Sequence, residues 1–244
     1  VSIKSVFLTF FCFLIPTHAF AEQIQLKVVQ YPPLAYEKAG NLKGVAPEVV
    51  AKIQAMVQDT STQEITPWLR AFKDTQSQPM HALFAIVRIP ERENLFKWVG
   101  PIFGEGDYFF KRKGNPLAIK TLDDAKKVKR IAVRKDGYTH QTLAAAGFTN
   151  LDVGPSYSTS FKKLAEGRVD LVLMGEKTYY YMVKKAGVDP DSFERTTCKF
   201  ADSTAWIAFS LDVPNATIQK WQTALDQLKN NGTYDEIMDR NFKH

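Results

Sequence analysis

The residues Ala82-Leu83-Phe84-Ala85-Ile86-Val87-Arg88-Ile89-Pro90-Glu91-Arg92 constrain this chain more than any other stretch. The run from Ala82 to Val87 is short and apolar throughout. Such a run reads as a strand buried on both faces, as in a parallel sheet covered by helices. Pro90 ends it. The proline ring pre-sets its own φ and drives Ile89 out of the α region, so the strand stops and a helical turn can begin. Arg92 then lies just beyond the carboxyl end of a buried strand, the edge at which open α/β sheets bind ligands. An arginine in a charged turn more commonly sits in solvent and pairs with neighbours such as Glu91 or Glu93. The rest of the chain must decide between these roles.

The first 21 residues read as an export signal. Lys4 supplies a positive start, Val6 to Ile15 is apolar but for Thr9, and Ala19-Phe20-Ala21 is a small-x-small cleavage site before Glu22. The apolar run is shorter than the ~20 residues a spanning helix needs. Cys12 follows Phe10-Phe11 rather than the small residues of a lipidation site. The expectation is a periplasmic protein with no lipid anchor and no stable membrane insertion. After cleavage only Cys198 remains, so no internal disulfide can form. Thr196-Thr197-Cys198-Lys199-Phe200 alternates like a strand, which suits a buried structural thiol better than a nucleophile. His81, His140 and His244 are scattered and near none of it.

From Glu22 onward strands and helices alternate. Gln25–Gln30 reads as a strand ending in the Pro-locked loop Tyr31-Pro32-Pro33-Leu34-Ala35-Tyr36. A helix carrying Val49, Val50, Ile53 and Val57 starts at Pro47, and a second, Trp68–Phe72, is expected to be capped by Thr66. Asp107–Lys111, Ile131–Val133, Leu151–Val153, Val169–Met174, Thr196–Phe200 and Ala205–Leu211 read as strands. Helices are expected at 138–146, 158–166, 178–185, 216–228 and 234–241, several stopped by glycine. This order argues for a parallel or mixed α/β sheet. The chain has no Gly-x-Gly-x-x-Gly, no phosphate-binding Gly-Lys-Ser/Thr loop, no Gly-x-Ser-x-Gly elbow and no metal-ligand spacing. No cofactor or metal is therefore expected. The formal net charge of +6 is dispersed, without the aromatic-interleaved basic stripe that would indicate nucleic acid. The pattern is that of a binding scaffold more than a catalyst.

Five segments recur in a characteristic order: Pro32-Pro33-Leu34-Ala35-Tyr36, Ile89-Pro90-Glu91-Arg92, Trp98-Val99-Gly100-Pro101, Glu166-Gly167-Arg168-Val169-Asp170 and Asn231-Gly232-Thr233-Tyr234. In this the chain resembles the family 3, polar amino-acid type, periplasmic solute-binding proteins of ABC importers, across the whole span after residue 21. The resemblance implies a type II binding-protein fold: two α/β lobes, a ligand cleft between them, and two hinge strands. Lobe one would be 22–110 with a return segment 204–244, and lobe two 111–203. The crossovers would be Asp107–Lys111 and Ala205–Ser210. Such lobes close on a ligand by a hinge motion and would then meet a membrane permease.

The resemblance also assigns roles. Arg92 falls where the family clamps a ligand carboxylate, which a guanidinium matches bidentately. Aromatic walls fall on Tyr31, Tyr36 and Trp68, although Trp68 could equally be a core tryptophan and Tyr36 a loop-packing residue. The lobe-two anion turn falls on Gly137 and Thr139, with Arg134 just before it. Two positions depart from the family. Val87 stands where a hydroxyl residue usually joins the carboxylate clamp. Gly175 stands where an aspartate usually takes the α-ammonium, and Glu176 next door could replace it. Asp170 reads as structural. The leading expectation is binding of a small carboxylate-bearing solute, most simply an amino acid, for an ABC permease. Two alternatives stay open: an enzyme similar to cyclohexadienyl dehydratases, with Glu176 as general acid, and a ligand-delivering partner of a membrane sensor.

Overall fold

The computed structural model describes residues 23–242, so the expected export signal lies outside the described residues. A single eight-stranded sheet runs through the molecule in the order β4-β1-β5-β10-β6-β9-β7-β8. At one end β4 (Gln63–Ile65), β1 (Gln25–Val28) and β5 (His81–Val87) are parallel to one another. At the other end β9 (Leu171–Gly175), β7 (Ile131–Arg134) and β8 (Leu151–Gly154) are again parallel. Two long strands join them, β6 (Lys97–Arg112) and β10 (Phe193–Phe209), antiparallel to each other. This is the two-lobed α/β architecture that the sequence suggested.

Each lobe carries apolar side chains on both faces of its part of the sheet, as expected of strands covered by helices. In lobe one, Leu26, Val28 and Phe84 pack with α1 (Val45–Val57), α7 (Asn215–Asn230) and α8 (Thr233–Phe242), while Leu83 and Ile86 face α2 (Trp68–Ser77). In lobe two the alternation is explicit in β9. Val172 and Met174 meet α5 (Tyr157–Ala165) and α6 (Tyr179–Lys185), and Leu171 and Leu173 point to the opposite core beside α4 (Tyr138–Ala145). Cys198 is buried there, as the alternation around it implied. Asp170 accepts from the Arg130 N–H at 3.0 Å, a structural turn contact.

Several expectations are corrected. Thr196–Phe200 and the expected strand Ala205–Leu211 fall in one strand, β10, which ends at Phe209 and is bent by register shifts between Arg195 and Ala201 and again after Ala205. Thr66 does not cap α2. Its hydroxyl is buried without a partner, and Pro67 occupies the cap position. The helix expected from Pro47 begins two residues earlier, after Gly44. Gly44 takes φ 117°, and a Cβ there would lie 2.5 Å from the carbonyl oxygens of Pro33 and Leu34, so no side chain fits. The proposed crossovers also shift. Asp107–Phe110 already pair with β9, and Ala205–Phe209 already pair with β5. The chain thus changes lobe just before each of these segments.

Candidate functional site

Where the two lobes meet, a cavity of about 70 Å³ opens among the carboxyl ends of the parallel strands. Tyr31 follows β1, Val87 ends β5, Arg134 ends β7 and Gly175 ends β9, and all four line it. Trp68 enters from the first turn of α2, and Tyr138 and Thr139 from the first turn of α4. The linking strands add Glu105, Asp107 and Ser203. The remaining wall is apolar and includes Leu34, Phe103, Tyr157 and Met174, a typical small-ligand lining with a few converging polar groups.

Arg92 sits in a 3-10 turn, Pro90–Leu95, and is only 1% exposed. It does not pair with its acidic neighbours. Glu93 instead forms a two-pronged ion pair with Arg88. Arg92 donates from Nη1 to the Val87 carbonyl at 2.9 Å, and from Nε and Nη2 to Gln141 Oε1 at 3.0 and 2.7 Å. Its guanidinium carbon lies 5.1 Å from the Trp68 ring centre and 5.5 Å from that of Phe72. Burial, and then the charge of Arg134, push its pKa down to about 10. All of these partners are uncharged.

Arg134 is the second cation in the wall. Its guanidinium carbon is 4.7 Å from the Trp68 ring centre and 4.9 Å from that of Tyr157. Its Nε is buried with no hydrogen-bond partner. A buried donor left unpaired costs about 1–3 kcal/mol, more when charged, so it marks a place where an acceptor belongs.

Two carboxyls face the same cavity from β6. Glu105 Oε2 accepts from the backbone N–H groups of Lys177 and Thr178, at 2.9 and 3.0 Å, and Oε1 accepts from the Thr178 hydroxyl at 2.8 Å. Desolvation raises its pKa to about 7. Asp107 accepts from the Tyr138 hydroxyl at 2.8 Å, and desolvation raises its pKa to about 6. Burial raises the Tyr138 phenol as well, reinforced by Asp107. Neither carboxyl was singled out in the sequence, yet a signal was present. Residues two apart in a strand share a face, and Gly-Glu-Gly-Asp interrupts an otherwise apolar run between Pro101 and Phe110.

The expected site residues divide. Arg92, Tyr31, Trp68, Val87, Arg134 and Thr139 line the cavity. Thr139 Oγ1 lies 3.4 Å from the Tyr157 hydroxyl, and Val87 contributes its carbonyl, not a side-chain hydroxyl, to Arg92. Three residues stand outside. Tyr36 is held in the hairpin of β2 (Tyr36–Lys38) and β3 (Asn41–Lys43), opposite Lys43. The Gly137 N–H is spent on the Arg134 carbonyl at 3.0 Å. Glu176 pairs with Arg195 at 2.8 Å away from the cavity, so it does not fill the place left by Gly175. Glu105 does. A Cβ built on Gly175 would fall 1.9 Å from the Glu105 carboxyl carbon.

The lobes are in contact across the cavity. Besides Arg92 and Gln141, the Trp68 indole N–H donates to the Asp136 carbonyl at 3.1 Å, and the Tyr31 hydroxyl donates to Met174 Sδ at 2.9 Å. Lys185 Nζ reaches the Gln30 carbonyl at 3.1 Å. Burial raises the Tyr31 phenol well above its ordinary pKa, so it stays protonated and able to donate.

Comparison with known proteins agrees with this architecture. A histidine kinase sensor domain with similarity to periplasmic binding proteins superposes with a TM-score of 0.79 at 19% identity, covering 90% of this chain and 96% of its own. A mutant arginine-binding protein from T. maritima superposes at 0.77 and 17% identity, covering 91% and 96%. The substrate-binding protein AbpA of an amino acid ABC transporter from Streptococcus pneumoniae, bound to L-arginine, superposes at 0.75 and 17%, covering 89% and 94%. These likenesses establish the type II fold. No curated protein matches the sequence. Among the described residues no helix is long and apolar enough to cross a membrane. The model of one family spans residues 27–244, nearly all of the described fold, and the chain belongs to it: the bacterial extracellular solute-binding proteins, family 3.

Proposed function

We propose that the cleft captures a small carboxylate-bearing solute, most simply an amino acid, in the periplasm and delivers it to an ABC-type permease. The observation that carries this reading is the pair of guanidiniums, Arg92 and Arg134, in one cavity wall with only neutral partners and an orphaned Arg134 Nε. A ligand carboxylate would give both cations a counter-charge inside a closed cleft, where charge-assisted hydrogen bonds are strongest. Membership of the family and the amino-acid-binding protein AbpA among its structural likenesses support the same choice. The hinge on this reading lies in residues 104–106 and 201–204, where the two long strands pass between lobes.

Calorimetric titration with a panel of amino acids and small organic acids tests the proposal. At least one carboxylate should bind with heat, and Arg134→Ala should weaken it. A protein indifferent to every carboxylate refutes it. The likeness to a histidine kinase sensor domain favours a second reading, in which the loaded protein reports to a membrane sensor. Co-purification of a detergent-solubilised permease or of a sensor with the loaded protein distinguishes the two. In the dehydratase alternative Glu176 is not placed to act as the general acid, since it pairs with Arg195 and does not line the cavity.

A further inference from the structure

The positive charge, dispersed along the chain, is concentrated in one lobe. Lobe two, residues 107–203, holds 18 Lys and Arg against 12 Asp and Glu, a formal charge of +6. The rest of the described chain, 23–106 and 204–242, holds 12 against 13, a charge of −1. Part of the excess gathers at the amino-terminal edge of the lobe-two sheet, opposite the cleft. Helix α3 (Leu122–Lys127) ends there, where the Asn150 side chain, just before β8, donates to the Ala125 and Val128 carbonyls at 3.1 and 2.9 Å. The Asp170 N–H, just before β9, donates to the Arg130 carbonyl at 2.9 Å. Strand β6 runs antiparallel to β9 and finishes at the same edge, where a Cβ built on Gly167 would lie 3.1 Å from the Arg112 guanidinium carbon. Arg112, Lys113, Lys126, Lys127, Lys129 and Arg130 are brought together in this way, and all six are exposed. Among the described residues none of the six has an ion pair within 4.0 Å; the ion pairs of this region take Lys111, Lys163 and Arg168 instead. Of the nearby acids, Asp170 accepts from the Arg130 N–H, and Asp124 caps the far end of α3. Like charges gathered on one face repel one another and attract an extended anionic surface.

We infer that this pole docks on the anionic surface of a phospholipid bilayer, at headgroup level and with no segment inserted. Four of the six cations are lysines, whose compact, strongly hydrated ammoniums sit on flexible stems. Such groups follow a fluid array of headgroup phosphates without needing a fixed geometry, and their attraction to it reaches about one Debye length. A protein partner would call for a different face. Protein interfaces are depleted in Lys and anchored by buried Trp, Tyr and Arg. The exposed large apolar side chains of the described fold are Met56, Leu69, Val153, Tyr180 and Leu211, and none lies in the segments 112–113 and 126–130. Nucleic acid would call for rings on which bases stack, whereas Phe148, the ring beneath Lys126, is buried. A basic patch with no apolar anchor holds reversibly, since stable anchoring takes two signals. The cleft lies at the opposite ends of these strands and stays clear of the surface. The inference therefore stands whatever the cleft binds.

Vesicle sedimentation tests it. The full chain downstream of the expected export signal is mixed with vesicles of equal parts phosphatidylglycerol and phosphatidylcholine, or of phosphatidylcholine alone. Ionic strength is set to about 0.01 M and about 0.15 M, where the Debye length is about 30 and about 8 Å. Lys126→Gln, Lys127→Gln and Lys129→Gln together neutralise half of the pole. Lys38→Gln, Lys43→Gln and Lys52→Gln together remove the same net charge from exposed lysines of lobe one and serve as the control. Wild type should sediment with the phosphatidylglycerol vesicles at the lower ionic strength, much less at the higher one, and not with phosphatidylcholine alone. The pole variant should partition about tenfold less or weaker still, and the control variant within about threefold of wild type. Equal losses in the two variants overturn the inference, because net charge and not the pole would then drive binding. Undiminished sedimentation of the pole variant, or equal sedimentation with both kinds of vesicle, overturns it as well. Wild type that stays in the supernatant at the lower ionic strength also overturns it and leaves the pole to an acidic protein partner. Arg112→Gln with Lys113→Gln gives the same readout should the first variant not fold.

Discussion

Arg92 donates from Nε and Nη2 to the single side-chain oxygen of Gln141, at 3.0 and 2.7 Å, with Arg92 in lobe one and Gln141 in lobe two. Gln141 thereby holds Arg92 in a two-pronged grip much as a carboxylate would. Hydrogen bonds to a charged group contribute about 1.5–3 kcal/mol each at most, enough to weight the equilibrium between open and closed lobes. Gln141→Ala should shift unliganded protein toward the open form. Small-angle scattering would show this as a larger radius of gyration. An unchanged radius would mean that the latch contributes nothing to closure.

The two arginines should respond differently to removal. Arg92 packs against the adjoining rings of Trp68 and Phe72 and bonds to the backbone of β5, so Arg92→Ala should cost both folding stability, by about 2–4 kcal/mol, and ligand affinity. Arg134 has an orphaned Nε and its contacts are with ring faces. Arg134→Ala should leave the melting temperature of the unliganded protein nearly unchanged, or raise it, while weakening carboxylate binding. Melts with and without ligand would separate the two effects.

The two buried carboxyls of β6 give a definite sign to the pH dependence. Burial raises Glu105 to about 7 and Asp107 to about 6, above their ordinary values of 4.5 and 3.8. Between the ordinary and the raised values the folded protein holds protons that the unfolded chain has released. These groups therefore favour the folded state at low pH, and that contribution is lost as pH rises toward about 7. Thermal melts between pH 5 and 8 should show wild type losing stability relative to Glu105→Gln as pH rises. A ligand amine would reverse the preference by favouring the ionised carboxyl. Binding below pH 7 should then release a proton, visible as a dependence of calorimetric heat on buffer ionisation enthalpy.

Gly175 and Glu105 should behave as a coupled pair. Gly175→Ala places a methyl group 1.9 Å from the Glu105 carboxyl carbon and must expel it from its seat on Lys177 and Thr178. A destabilisation of about 1–3 kcal/mol is expected, as for overpacking elsewhere. In a Glu105→Ala background the same substitution should cost little. A double-mutant cycle measured by denaturant melts reads the coupling directly, and additive effects would contradict the contact.

Much of this architecture was legible in the chain because buried strands and glycine-stopped helices announce themselves locally. The apolar run 82–87 became β5, and Pro90 ended it as its ring requires. Local pattern failed where distant segments decide. Nothing near Thr196 or Ala205 shows that the intervening residues continue one strand, because that continuity comes from pairing with β6, about a hundred residues earlier. The site was half legible. Arg92, Trp68 and Arg134 sit at element ends that sequence pattern can locate. Sequence adjacency to Gly175 points to Glu176 and gives no hint of Glu105. The approach of β6 to the end of β9 exists only in three dimensions.

The threading of β6 and β10 has a consequence for how the chain is built. Lobe two is made from one continuous segment, from the middle of β6 to the middle of β10. The sheet of lobe one is completed only by the last five residues of β10, and its core only by α7 and α8 behind them. As the polypeptide emerges, the portion made first must wait for the portion made last, leaving β5 with an open edge in the meantime. The later-synthesised lobe therefore has all its parts before the earlier one, and a truncation that removes α7 and α8 strands the amino-terminal half rather than the lobe nearest the cut.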